Sequence, residues 1–158
     1  MVLVSCGGEK SAESTQFQFV ESKESRLKIK LADKYGTCSL ENILARSDNS
    51  TRRAGENTYK LEKSKVFKLT GFAINKDEKK VPKSIILYLI GNKSYELNAL
   101  INNERVDVQD FFKEPSFKFS GYVSESGFKD VDPGEYEFFL RDTDTIKICP
   151  TFQKITVE

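Results

Sequence analysis

The sequence predicts an all-β domain, and three observations carry that prediction. Short runs of alternating apolar and polar residues recur along the chain, separated by Gly, Pro, Asn and Asp, a spacing that reads as strands joined by turns in a sandwich or barrel. The chain holds 12 Phe and 6 Tyr against no Trp and 1 Met, a supply of aromatic side chains suited to pleated, half-buried surfaces. Helical periodicity is confined to one segment, 102–113, where Val108, Phe111 and Phe112 fall at i, i+3 and i+4. With 158 residues the chain has the length of one domain. A chain of that size buries about two-thirds of its unfolded surface and needs no metal to fold.

The organising strand is Val66-Phe67-Lys68-Leu69-Thr70-Gly71-Phe72-Ala73-Ile74-Asn75. Phe67, Leu69, Gly71 and Ala73 share one face by period-two alternation. Gly71 inside such a strand marks a bulge or a close backbone approach.

Before it, Phe17–Val20 reads as a weak strand, 27–31 as a better one and Cys38–Leu44 as a third. Arg46 to Asn57 reads as a polar loop, with Arg52 and Arg53 solvated at its tip. After it, Pro82 suits a strand entry. Ile85–Ile90 is nearly continuous apolar, as in a strand buried on both faces, and Gly91-Asn92-Lys93 turns it into a hairpin with Ser94–Leu100. The helical segment is expected to start with Asp107 as N-cap, paired to Arg105, and to end at Glu114-Pro115. Strands are expected at Phe117–Val123, Glu135–Leu140, Thr145–Cys149 and Phe152–Val157.

The opening Leu3-Val4-Ser5-Cys6 has the form of a lipoprotein cleavage site: an apolar residue, a spacer, a small residue, then the Cys that would carry the lipid. Met1–Ser5 is shorter than a whole signal peptide, so 1–5 is expected to be the remnant of one. Residues 6–16 then form the anchor Cys and a polar tether, and 17–158 the β domain. No run approaches the 18 apolar residues of a membrane span.

Charge and chemistry narrow the function. Lys+Arg is 25 and Asp+Glu is 24, a net charge of +1, without the basic stripe of a nucleic-acid binder. No His is present, which removes the commonest general base and the commonest metal ligand. Of three Cys, Cys6 is assigned to lipid, which leaves Cys38 and Cys149 as an even number for an oxidising compartment. A disulfide between them is the economical reading, and two buried free thiols the alternative. No C-x-x-C spacing and no phosphate loop occur, and no cofactor or metal is expected.

Several stretches taken together resemble a group of bacterial extracytoplasmic β-sandwich modules, found as lipoproteins and as accessory domains of cell-envelope proteins. They are Leu69-Thr70-Gly71-Phe72-Ala73, Arg105-Val106-Asp107-Val108, Phe119-Ser120-Gly121-Tyr122 and Pro133-Gly134-Glu135-Tyr136, with Cys38 before and Cys149 after them. Phe72 stands where the group carries Trp, and Tyr122 where it carries Phe. The resemblance covers about residues 38–157 and implies an immunoglobulin-like sandwich of about 7–9 strands with one short helix near 106–113. It implies a compartment and an architecture, not a catalytic site.

The expected function is therefore a non-catalytic envelope lipoprotein. It would be held to the membrane through Cys6 and would present a binding or assembly face to a protein or glycan. Arg105, Asp107, Tyr88 and Tyr95 are the candidate ligand groove; the competing reading of Arg105 and Asp107 is a clamp on the helix. Two rival functions remain. One is a carboxylate-dependent glycoside hydrolase or glycan-binding accessory domain drawing on Glu96, Glu104, Asp107, Asp110 and Glu135. The other is a purely structural or inhibitory lipoprotein.

Overall fold

The computed structural model describes residues 18–26, 29, 37–145 and 147–158. Among them the chain is mostly β, in two sheets, with a short α-helix between β7 and β8 in sequence. The smaller sheet places the organising strand β5 (Val66–Ile74) between β2 (Thr37–Ala45) and β8 (Gly121–Gly127), all antiparallel. The larger sheet has the order β1 (Val20–Glu21), β7 (Ser94–Leu100), β6 (Ser84–Ile90), β9 (Gly134–Asp142), β10 (Ile148–Val157), β4 (Thr58–Leu61), β3 (Arg53–Gly55). Every pairing in it is antiparallel except β10 with β4.

The core is fed from both sheets. Leu40, Ile43, Phe67, Leu69 and Tyr122 come from the smaller; Tyr59, Leu87, Leu89, Phe138 and Ile155 come from the larger. The alternation read in β5 holds, since Phe67, Leu69, Gly71 and Ala73 are all buried. Burial of β6 on both faces holds too. Ile85, Leu87 and Leu89 point into the shared core, while Tyr88 joins Ile29 and Ile148 on the outer face of the larger sheet. Helix α1 (Val106–Phe112) covers the outer face of the smaller sheet, where Val108 and Phe117 pack on Ile74 and Phe72.

Gly71 is the close approach that its place in the strand announced. Opposite it β2 carries a bulge, so that Leu40 faces Gly71 and Asn42 faces Thr70, with Glu41 as the extra residue. A Cβ on Gly71 would collide with the Ser39 carbonyl and lie 2.6 Å from the Tyr122 hydroxyl. The missing side chain is what lets Tyr122 donate its hydroxyl proton to Ser39 O, at 2.7 Å.

Several expectations are corrected. Of the strand expected at 27–31, Ile29 is helical, and residues 27, 28, 30 and 31 lie outside the described residues, as do Phe17 and the 1–16 segment with Cys6. The polar stretch 46–57 contains β3, and β4 follows it; neither has the length or alternation that periodicity detects. Residues Pro115–Phe117 form a 3-10 turn rather than the start of a strand, because the helix ends with Lys113 in the left-handed region (φ 52°) and the chain must turn back. The last two expected strands are one strand, β10, interrupted by a bulge between Pro150 and Lys154, with Phe152 at φ 61°. Phe111 does not point with Val108 and Phe112: it is 79% exposed.

Candidate functional site

Four sequence stretches meet at the guanidinium of Arg105. Its Nε and one terminal nitrogen donate to the Asp107 carboxylate at 2.9 and 2.8 Å. Its terminal nitrogens also donate to both oxygens of Glu41 at 2.7 and 3.0 Å. The guanidinium carbon lies 5.5 Å from the centre of the Phe72 ring, a cation–π placement. The arm reaches this point across Gly121, where a Cβ would stand 2.7 Å from Arg105 Cγ. The Gly-Phe-Ala strand, the Arg-x-Asp-Val turn, the Ser-Gly-Tyr strand and the bulge residue Glu41 thus serve one contact.

That contact is a clamp. A guanidinium offers five N–H donors, and four are directed at the two carboxylates. The hydrogen bond from Arg105 holds the Asp107 carboxyl down at about 2, while Asp107 and Glu41 raise the affinity of Arg105 for its proton. Little donor capacity is left for an incoming anion, and the Arg105 side chain is 19% exposed. Asp107 is not the N-cap. Arg105 occupies that position with no side-chain cap bond, and Asp107 is the second residue of the helix, its carboxylate bound to the guanidinium.

Tyr88 and Tyr95 do not join this group. They lie on opposite faces of the larger sheet, 0% and 1% exposed. Arg141 donates to the Tyr88 hydroxyl at 3.4 Å, and the Asp132 backbone N–H donates to the Tyr95 hydroxyl at 3.0 Å. The groove expected from Arg105, Asp107, Tyr88 and Tyr95 is therefore corrected: Arg105 and Asp107 belong to an outer clamp with Glu41, and the two tyrosines are core.

Arg52 and Arg53 both have partners, Arg52 half-buried and Arg53 exposed. Arg52 donates to Glu62 at 2.9 Å and lies over Phe67. Arg53 stacks on Tyr59, donates to its hydroxyl at 2.7 Å, and reaches the Glu41 carbonyl on the other sheet at 2.9 Å. Glu41 is thus held twice, by its side chain and by its backbone. It is the residue that sequence reasoning missed, for no local signal links it to an arginine 64 positions away.

Cys38 of β2 and Cys149 of β10 are bonded, with Cα atoms 6.4 Å apart, and join the two sheets covalently. Of the carboxylates considered for hydrolysis, Asp107 is held by Arg105, Glu104 by Lys118 at 3.4 Å and Glu135 by Lys154 at 3.9 Å. Glu96 lies on β7 and Asp110 on α1. The described residues contain no cluster of three or more metal-ligating side chains. Among them no helix is long and apolar enough to cross a membrane. No protein-family model matches the chain, and no curated protein shows significant similarity to it.

Proposed function

We propose that the chain is a non-catalytic binding or assembly module of the bacterial cell envelope, held at the membrane surface by a lipid on Cys6. The observation that carries this reading is the Cys38–Cys149 bridge. The chain has three Cys, so the bridge leaves Cys6 over, and Cys6 stands in the Leu3-Val4-Ser5-Cys6 cleavage pattern ahead of a polar tether. A bridge between sheets also suits an oxidising compartment. The absence of His from the sequence favours binding over catalysis. We read the architecture as an immunoglobulin-like sandwich; two sheets over one core and a disulfide between them support that reading.

The test is a detergent partition of the protein expressed from its native start. The unaltered protein is expected in the detergent phase, and Cys6→Ser in the aqueous phase. Equal partitioning of the two would remove the anchor from the reading.

A further inference from the structure

The Cys38–Cys149 bridge is not sealed in the core. Both residues are half-buried, and both line a cleft of about 20 Å³. The strand register brings a polar group to the same place. Cys38 is paired with Ala73 of β5, and Asn75 stands two residues after Ala73, on the same face by alternation. Asn75 lines the cleft and is 1% exposed. Its Oδ1 accepts from Glu78 N at 3.0 Å, which orients the amide and leaves Nδ2 a buried donor without a hydrogen-bond partner. Such a donor is unfavourable in a folded protein unless something uses it. Lys147, two residues before Cys149, also lines the cleft. So does Asp142, whose carboxylate accepts from Asp144 N at 2.8 Å.

We propose that the bridge is a thiol-exchange site in the folded molecule, and so a releasable joint between the two sheets. The reacting partner is a small thiol, acting as its thiolate. Disulfide chemistry selects that class, because a thiolate breaks a disulfide by direct attack on sulfur. The size of the cleft narrows it further: space for about one water-sized group admits the end of a slender molecule and not a folded partner. The charges suit it as well. Asn75 Nδ2 and the Lys147 ammonium both favour an anionic sulfur, incoming or departing, while the opposing Asp142 carboxylate is engaged by Asp144 N. In the first step the thiolate bonds to one bridge sulfur, the Cys38–Cys149 bond breaks, and the electron pair leaves on the other sulfur. A second thiolate then displaces the protein sulfur from the mixed disulfide. Two small thiols are oxidised to one disulfide, and the bridge, reduced, takes up their two protons. Neither sheet is paired through the bridge: Thr37–Leu40 is paired with β5 and Ile148–Pro150 with β9. Reduction therefore parts β2 from β10 at this end and leaves both sheets hydrogen-bonded.

The Cys6→Ser chain, which has no third thiol to compete, tests this with reduced glutathione as the probe. Its outcome is independent of any lipid on Cys6. Free cysteines are alkylated at timed intervals and counted by mass, at several urea concentrations below the unfolding transition. The rate of reduction is expected to be proportional to thiolate and flat across those concentrations. A rate that rises with urea by the full slope of the unfolding free energy would mean that the bridge reacts only in the unfolded chain, and overturns the proposal. Asn75→Leu and, independently, Lys147→Glu are expected to slow the reduction by about threefold or more, the effect of Lys147→Glu shrinking as salt is added. Lys147→Glu keeps the test open if Asn75→Leu lowers the melting temperature, and a Lys147→Glu chain reduced as fast as its parent at low salt overturns the proposal too. The reduced chain is expected to keep its far-ultraviolet β spectrum; loss of that spectrum on reduction would sink the releasable joint.

Discussion

A methyl group added at Gly71 has nowhere to go. It would meet the Ser39 carbonyl, which is backbone, and the Tyr122 hydroxyl, which is fixed by its bond to that carbonyl. Gly71→Ala is expected to cost about 1–3 kcal/mol, the range for overpacking a close-fitted site. Tyr122→Phe removes the donor without changing the packing and should cost about 1 kcal/mol. Thermal or urea unfolding of the two variants checks both, and a Gly71→Ala protein as stable as the parent would refute the close approach. Arg105→Ala should likewise act on stability, because it frees Glu41 and Asp107 together and uncovers Phe72. The pair is partly exposed, so its loss is worth about 1 kcal/mol, well under what a buried pair would cost.

The helix and its 3-10 turn divide their aromatic residues in a way that substitution can read. Phe117 is 2% exposed and packs with Val108 on Ile74, whereas Phe111 is 79% exposed. Phe117→Ala is expected to lower stability by about 3–5 kcal/mol. Phe111→Ala should change it by less than about 0.5 kcal/mol. Equal losses would mean that α1 seats differently on the smaller sheet.

The same segment marks the limit of what the sequence conveys. Period-two alternation identified β5, a nearly continuous apolar run identified β6, and the Gly91-Asn92-Lys93 turn identified the β6–β7 hairpin. The helix was legible from Val108 and Phe112, but the spacing that includes Phe111 is geometric and does not say which part of an apolar stripe meets the sheet. Asp107 had the chemistry of a cap, but the guanidinium two residues away is a stronger donor to its carboxylate than a backbone N–H. The Arg105–Asp107 pair was readable because it is local; Glu41 and Phe72 complete it from other strands and were not. Tyr88 and Tyr95 looked like ligand-binding aromatics only while their strands were unplaced, since neighbouring strands of one sheet can turn such residues to opposite faces.

At the scale of the whole molecule the disulfide and the pH response are the accessible quantities. Cys38 and Cys149 are 111 residues apart, and closing a loop of that length is worth about 4–5 kcal/mol in the chain-entropy model. Reduction should therefore lower the melting temperature markedly, and peptide mapping without reductant should recover the two Cys peptides linked.

Stability should be nearly flat between about pH 5 and 9, because the chain has no His. Burial raises the phenols of Tyr122, Tyr136 and Tyr59 above their usual value. A raised folded value means that their contribution is complete below the unfolded value, about 10, and is lost as pH climbs through the folded ones. Asp107 works in the opposite sense. Its contribution is present above the unfolded carboxylate value and is lost as pH falls toward about 2. Urea titrations at stepped pH would show a plateau with two shoulders; a transition between pH 6 and 7 would contradict it.

The place of β10 governs the order in which this molecule can be made. It follows every other described strand in sequence, yet it lies inside the larger sheet between β9 and β4 and carries Cys149. Until residues 148–157 are free to pair, β4 and β3 have no sheet to join, and Cys38 has no partner. The smaller sheet and the β7–β6–β9 pairings, by contrast, form without it. Deleting residues 148–157 would remove not an edge but an interior strand of the larger sheet, so it should detach β4 and β3, leave Cys38 an oxidisable thiol and open the chain to proteolysis.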